Sequence, residues 1–227
     1  MLTPTSDLNI STRPLAGTQG SVFHQHHEAR GHFFGTCWTA ANTDLMYVNI
    51  PKNASSWTKP NLKDFGWEEH NYHLEDLYHK HAMVVLRDPL QRWLTGIGEY
   101  FALYHPNLDL VGAGKAFFEL VLDLVTLDDH TERQVYFIDG LDTTRCTYFY
   151  CDSNYRSNFE HFLNTKGMRN RYSGYSYQHT TENSDVRKYF TSHFAPMLEN
   201  KKYTDHIKRH YTLDYELINS VKYYGTR

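Results

Sequence analysis

Two short apolar runs constrain this chain more than any other feature. Residues 45–50 (LMYVNI) and 82–86 (AMVVL) are apolar at nearly every position, and each stops abruptly, one at Pro51-Lys52 and the other at Arg87-Asp88. A strand with one wet face alternates apolar and polar side chains, whereas a strand covered on both faces reads as an unbroken apolar run. Both runs therefore predict buried strands. Each leads into a helical pattern, the second over residues 89–104 (PLQRWLTGIGEYFALY). A further strand is predicted at 146–150, with helices near 114–125, 155–167, 183–194 and 212–224. Strands alternating with helices imply an α/β fold: a single domain with a mostly parallel central sheet flanked by helices. Residues 1–30, rich in Thr, Ser, Gly and His, predict an irregular N-terminal arm ahead of one domain over 31–227.

In such sheets the ligand crevice lies beyond the carboxyl ends of the strands, where both unusual sequences fall. The first is Pro51-Lys52-Asn53-Ala54-Ser55-Ser56-Trp57. Small side chains that open into a helix let an anion approach backbone N–H groups closely. Lys52 adds a point charge, and Ser55 and Ser56 add hydroxyls. The same letters also describe a plain strand-to-helix turn with an exposed lysine. Pro60 suits the helix if it lies in the first turn. Asn53-Ala54-Ser55 matches a glycosylation pattern, which a tight loop without a secretory signal disfavours.

The second is Arg87-Asp88-Pro89-Leu90-Gln91-Arg92-Trp93-Leu94-Thr95. Asp88 is a helix cap and Pro89 a first helical residue. That leaves Arg87 at the strand tip, where a guanidinium can fork onto a phosphate, with the Thr95 hydroxyl two turns along. Gly96 and Gly98 each cost a helix about 1 kcal/mol against alanine, so close packing or close ligand approach is expected there. Arg87 paired with a surface acid is the alternative.

Composition bounds the partners. A net charge of −3 over 227 residues gives no general basic field, so nucleic acid is not expected and any anion site is local. Three cysteines do not make a disulfide framework and predict a reducing compartment. No leader pattern opens the chain and no window suits a bilayer. A cytoplasmic or otherwise soluble intracellular protein, away from membranes, is the expectation.

Together the two motifs resemble the sulfotransferases that use 3′-phosphoadenosine 5′-phosphosulfate, with Thr95 where serine is usual and a shorter interval between the motifs. The segment from Asp128 to Gln134 (DDHTERQ) is similar to the Asp-x-His-x-x-x-Gln stretch of carbohydrate sulfotransferases. The stretch from Tyr211 to Leu217 resembles their closing Tyr-x-x-Asp-Tyr-x-Leu helix. The resemblance implies a P-loop-like nucleotide-binding sulfotransferase fold and transfer to a hydroxyl or amine, on a glycan or small molecule, with 3′,5′-adenosine bisphosphate as product. It implies that Lys52 stabilises the leaving group and that Asn53, Ala54, Ser55, Ser56 and Trp57 hold the 5′-phosphosulfate. Arg87 and Thr95 would bind the 3′-phosphate.

An acceptor base is required, and histidine titrates near neutrality. His130 ranks first and His73 second, with Glu69 and His70 as outside candidates; a histidine base predicts activity lost as pH falls through about 6 to 7. Lys166, Arg169 and Arg171 offer a late basic loop, and Trp57, Trp67, Trp93 and Tyr100 are candidate acceptor stackers. No metal is expected, because the clusters His24/His26/His27 and His79/His81 lack convergent carboxylates or thiolates. A kinase or NTPase would need a Gly-x-x-x-x-Gly-Lys loop, which the chain lacks. A non-catalytic binding module is the other alternative.

Overall fold

The computed structural model describes residues 36–71, 79–107, 121–123, 125–138, 141–168 and 184–225. Five strands form one sheet: β1 Thr36–Thr39, β2 Leu45–Asn49, β3 Glu68–Asn71, β4 His81–Leu86 and β5 Cys146–Tyr150. Their spatial order is β3-β1-β2-β4-β5. β2, β4 and β5 run parallel, as the apolar runs require, but β1 lies antiparallel to both β2 and β3. The sheet is therefore mixed rather than mostly parallel. The correction comes from β1 and β3, whose four-residue sequences TCWT and EEHN carry no apolar run.

Six α-helices are described: α1 Ser55–Asp64, α2 Pro89–Tyr104, α3 Tyr155–Thr165, α4 Asp185–Phe194, α5 Lys201–His210 and α6 Thr212–Ser220. Alternate residues of β2 and β4 feed opposite faces of the sheet. Leu45, Tyr47, Met83 and Val85 pack with Leu62 of α1 and with Phe159, Phe162 and Leu163 of α3. Met46, Val48, Val84 and Leu86 pack with Phe137, Ile138 and Ile218 of α6. A third cluster joins α2 to α4 and α5 through Trp93, Ile97, Phe101, Phe190 and Ile207. Phe101 and Phe190 stack with ring centroids 3.8 Å apart.

Among the described residues, no helix is long and apolar enough to cross a membrane. The expected arm over 1–30 lies outside them, as does most of the helix expected over 114–125.

Candidate functional site

Because β2 and β4 are parallel neighbours, their carboxyl ends emerge at the same edge of the sheet. The chain leaves β2 through a loop with two left-handed residues, Lys52 at φ 67° and Ala54 at φ 60°. Neither is glycine, so the turn is strained, and such strain concentrates at functional sites. Ala54 caps α1, and the first N–H groups of that helix, at Ser55 and Ser56, have no intrahelical acceptor. The N–H of Trp57 donates to the Ala54 carbonyl at 3.0 Å, and that of Asn53 to Ile50 at 3.2 Å. The cradle is thus narrower than expected from Asn53 to Trp57. Pro60 sits in the interior of α1, not its first turn, which removes the helix bond to the Ser56 carbonyl.

Asn53 is fully buried, and its Nδ2 donates to Val85 O and Gln134 Oε1, each at 2.7 Å. Trp57 packs edge-on against Tyr155 and Phe159, with Arg156 above its ring. Both residues serve as structure for the loop.

Asp88 caps α2 by accepting from the Gln91 N–H, and Pro89 follows it, as expected. Arg87 at the tip of β4 donates from Nη1 to the Lys52 carbonyl at 2.9 Å and to Thr95 Oγ1 at 3.2 Å. The two strand-tip motifs are in direct contact. Gly96 and Gly98 serve packing: a Cβ on Gly96 would lie 2.4 Å from the His130 carbonyl oxygen, and one on Gly98 would lie 2.6 Å from Thr191 Oγ1.

Beneath the loop, the motifs interlock. Arg92 is buried and donates to the carbonyls of Pro51 at 2.9 Å, Asp129 at 2.8 Å, and Glu132. The Gln134 side-chain amide pairs with both the N–H and the carbonyl of Arg87, each at 2.9 Å, as a neighbouring strand would. Asp214 of α6 accepts the N–H groups of Gln134 and Val135 at 2.9 and 3.0 Å. Tyr211 donates to the Thr131 carbonyl. Arg92, Gln134 and Asp214 carry the arrangement without touching the cleft; their motif membership was legible, their purpose was not.

The cleft above has a volume of about 770 Å³ and is lined by Lys52, Ser55, Ser56, Lys59, Asp129 and His130, with Trp38 and Asn49 also in its wall. Lys52 Nζ pairs at 2.8 Å with Glu99 of α2, whose side chain is almost wholly buried. Burial lowers the Lys52 pKa, and Glu99 pulls it back up. His130 Nδ1 lies 2.7 Å from Asp128 Oδ2 and 3.1 Å from Asp129 Oδ1. Burial disfavours its charge, but the two carboxylates outweigh it and raise the imidazole to about 10. Burial raises the Asp128 carboxyl while His130 pulls it down. Two carboxylates facing one imidazole, and a ring and a backbone N–H facing Asp128, leave the proton on the histidine.

Asp128, Asp129 and His130 also present ligand atoms within 4.8 Å of one another. This set lies apart along the chain from the histidine clusters at 24–27 and 79–81 that the sequence brings into question as ligands. Both Asp128 oxygens already accept His130 N–H groups, so a cation there would have to replace the imidazole proton.

The remaining candidates lie elsewhere. Glu69 accepts from Thr36 Oγ1 at 2.6 Å on exposed β3, beside His70. His81 opens β4, at the strand end remote from the cleft, and bonds Thr147 Oγ1. Lys166 covers the Phe162 ring. Trp67, Trp93 and Tyr100 are core residues, and Trp38 is the tryptophan in the cleft wall. His73, Arg169, Arg171, His24, His26 and His27 lie outside the described residues. Comparison of the chain with protein-family models, with curated proteins and with solved structures finds no match.

Proposed function

We propose that the protein is a sulfotransferase moving a sulfuryl group from 3′-phosphoadenosine 5′-phosphosulfate to a hydroxyl or amine of a glycan or small-molecule acceptor, on a P-loop-like nucleotide-binding sulfotransferase fold. The observation that carries this reading is the junction of the two strand tips. Arg87 holds the Lys52 carbonyl at 2.9 Å, while Lys52, Ser55, Ser56 and His130 line one cleft. A doubly phosphorylated nucleotide needs cationic and hydroxyl groups at both ends, and these two tips supply them side by side.

In the transfer, the acceptor oxygen forms a new S–O bond as the bond from sulfur to the 5′-phosphate oxygen breaks. The electron pair departs with adenosine bisphosphate. Catalysis of such in-line displacement comes mainly from positioning and charge stabilisation. Lys52 neutralises charge growing on the bridging oxygen, the start of α1 holds the 5′-phosphate, and Arg87 with Thr95 holds the 3′-phosphate. His130 is the base that takes the acceptor proton, and it must first release its own. The alkaline rise in rate therefore belongs well above the pH 6 to 7 of an ordinary histidine, toward pH 10. Three free thiols are in keeping with a reducing, intracellular setting.

The test is thermal melting with saturating adenosine 3′,5′-bisphosphate against ATP, since a ligand bound by the native state alone raises Tm, followed by label transfer from the donor to an acceptor panel. The reading expects a shift with the bisphosphate, little with ATP, and donor-dependent sulfation. A larger ATP shift supports a kinase or NTPase; bisphosphate binding without transfer supports a binding module. No bisphosphate shift removes the proposal.

A further inference from the structure

Glu99 has a role that neither strand-tip motif contains. It stands one turn beyond Thr95 on α2, fully buried, with Oε2 2.8 Å from Lys52 Nζ and 3.6 Å from Arg187 Nη1 of α4. Gly98 lets α4 come this close, since a Cβ there would meet the Arg187 carbonyl at 3.0 Å. Taking a cation from a buried carboxylate is strongly destabilising, and Arg187 closing on Glu99 as Lys52 leaves offsets that loss. Arg187 Nη1 is buried with no hydrogen-bond partner among the described residues, and a shift of under 1 Å would close that bond.

We propose that Glu99 is a positioning residue that parks the Lys52 ammonium between turnovers and passes to Arg187 when Lys52 moves onto an anionic donor. The inference rests on the sulfotransferase reading of the cleft. Glu99 also keeps Lys52 charged against its burial, while Arg187 and Arg87 act in the opposite sense. Asp129 and His130 line the same cleft, and His130 titrates in the alkaline range. The measurement is therefore made on a His130→Gln background.

Binding of adenosine 3′,5′-bisphosphate is followed by calorimetry from pH 6 to 10 in that parent, in Glu99→Gln, and in Glu99→Gln combined with Lys52→Arg. Removing the carboxylate should move the alkaline loss of binding down by about 1–3 pH units. The added guanidinium, which does not deprotonate, should abolish that loss. A Glu99→Gln profile superimposable on a binding parent overturns this inference alone. A parent with no saturable binding overturns it together with the sulfotransferase reading. Where Glu99→Gln fails to fold, NMR of labelled Lys52 and Arg187 side chains in the parent replaces it. The bisphosphate must shift both signals, and a Lys52 shift without an Arg187 shift overturns the hand-over.

Discussion

Arg87 and Arg92 stand five residues apart in one motif and do opposite work. Arg87 is partly exposed and reaches a carbonyl and a hydroxyl at the rim of the loop. Arg92 is 1% exposed and ties three backbone carbonyls from two separate segments beneath it. The same division separates Ser55 from Asn53, and His130 from Gln134. The loop after β2 and the 128–134 segment each line the cleft and also feed the knot under it, whereas Arg87 and Thr95 stand beside the loop and outside the cleft lining. The order of residues in a motif therefore does not say which of its members face the cleft and which hold it from beneath.

The sharpest way to break this comparison is at Lys52. Lys52→Ala should lower turnover about 100- to 1000-fold, as loss of a charge-stabilising group does, beyond any loss of stability from leaving the buried Glu99 carboxylate to its remaining partners. Equal turnover would move Lys52 out of the chemistry. Arg92→Met should do the reverse. Loss of three buried charge-assisted bonds costs about 3–5 kcal/mol, which lowers Tm by roughly 10 °C. A Tm within a degree of the parent would dissolve the knot.

Gly96→Ala joins the two regions. Its methyl would strike the His130 carbonyl, costing about 1–3 kcal/mol, and the displaced imidazole should cut activity beyond what stability explains. Unchanged melting would show that the 128–131 segment yields freely.

The subtlest test concerns pH and stability. His130 in the folded chain titrates near 10, above its ordinary value of 6.5. A raised value stabilises the fold fully below the unfolded pKa and is lost as pH climbs through the folded one. The Tm difference between parent and His130→Gln should be widest near pH 6 and close by about pH 10. A gap that is constant over that range would mean the carboxylates do not hold the proton.

Legibility in the sequence followed the range of the interactions. The buried strands, the Asp88-Pro89 helix start and the adjacency of Lys52 to Arg87 were readable, because apolar runs and caps are local signals. β1 and β3 were not, since TCWT and EEHN become strands only by antiparallel pairing with distant partners. α5 was missed because KKYTDHIKRH is half charged and buries only Ile207. In the site, Ser55, Ser56 and His130 were readable from chemistry and position. The packing of Trp57 against α3 was not readable, because an aromatic after a small-residue loop looks the same whether it faces a ligand or a neighbouring helix. Glu99 did leave a trace, a carboxylate within the apolar half of α2, residues 96–104, one turn past Thr95.

Asp214 closes the knot from 80 residues beyond Gln134 in sequence. A chain emerging from the ribosome therefore carries Lys52 and Arg87 long before α6 exists to fix the segment that joins them. Contacts so far apart are entropically expensive to form early, so during refolding the cleft should mature with the last step of assembly, after the sheet itself.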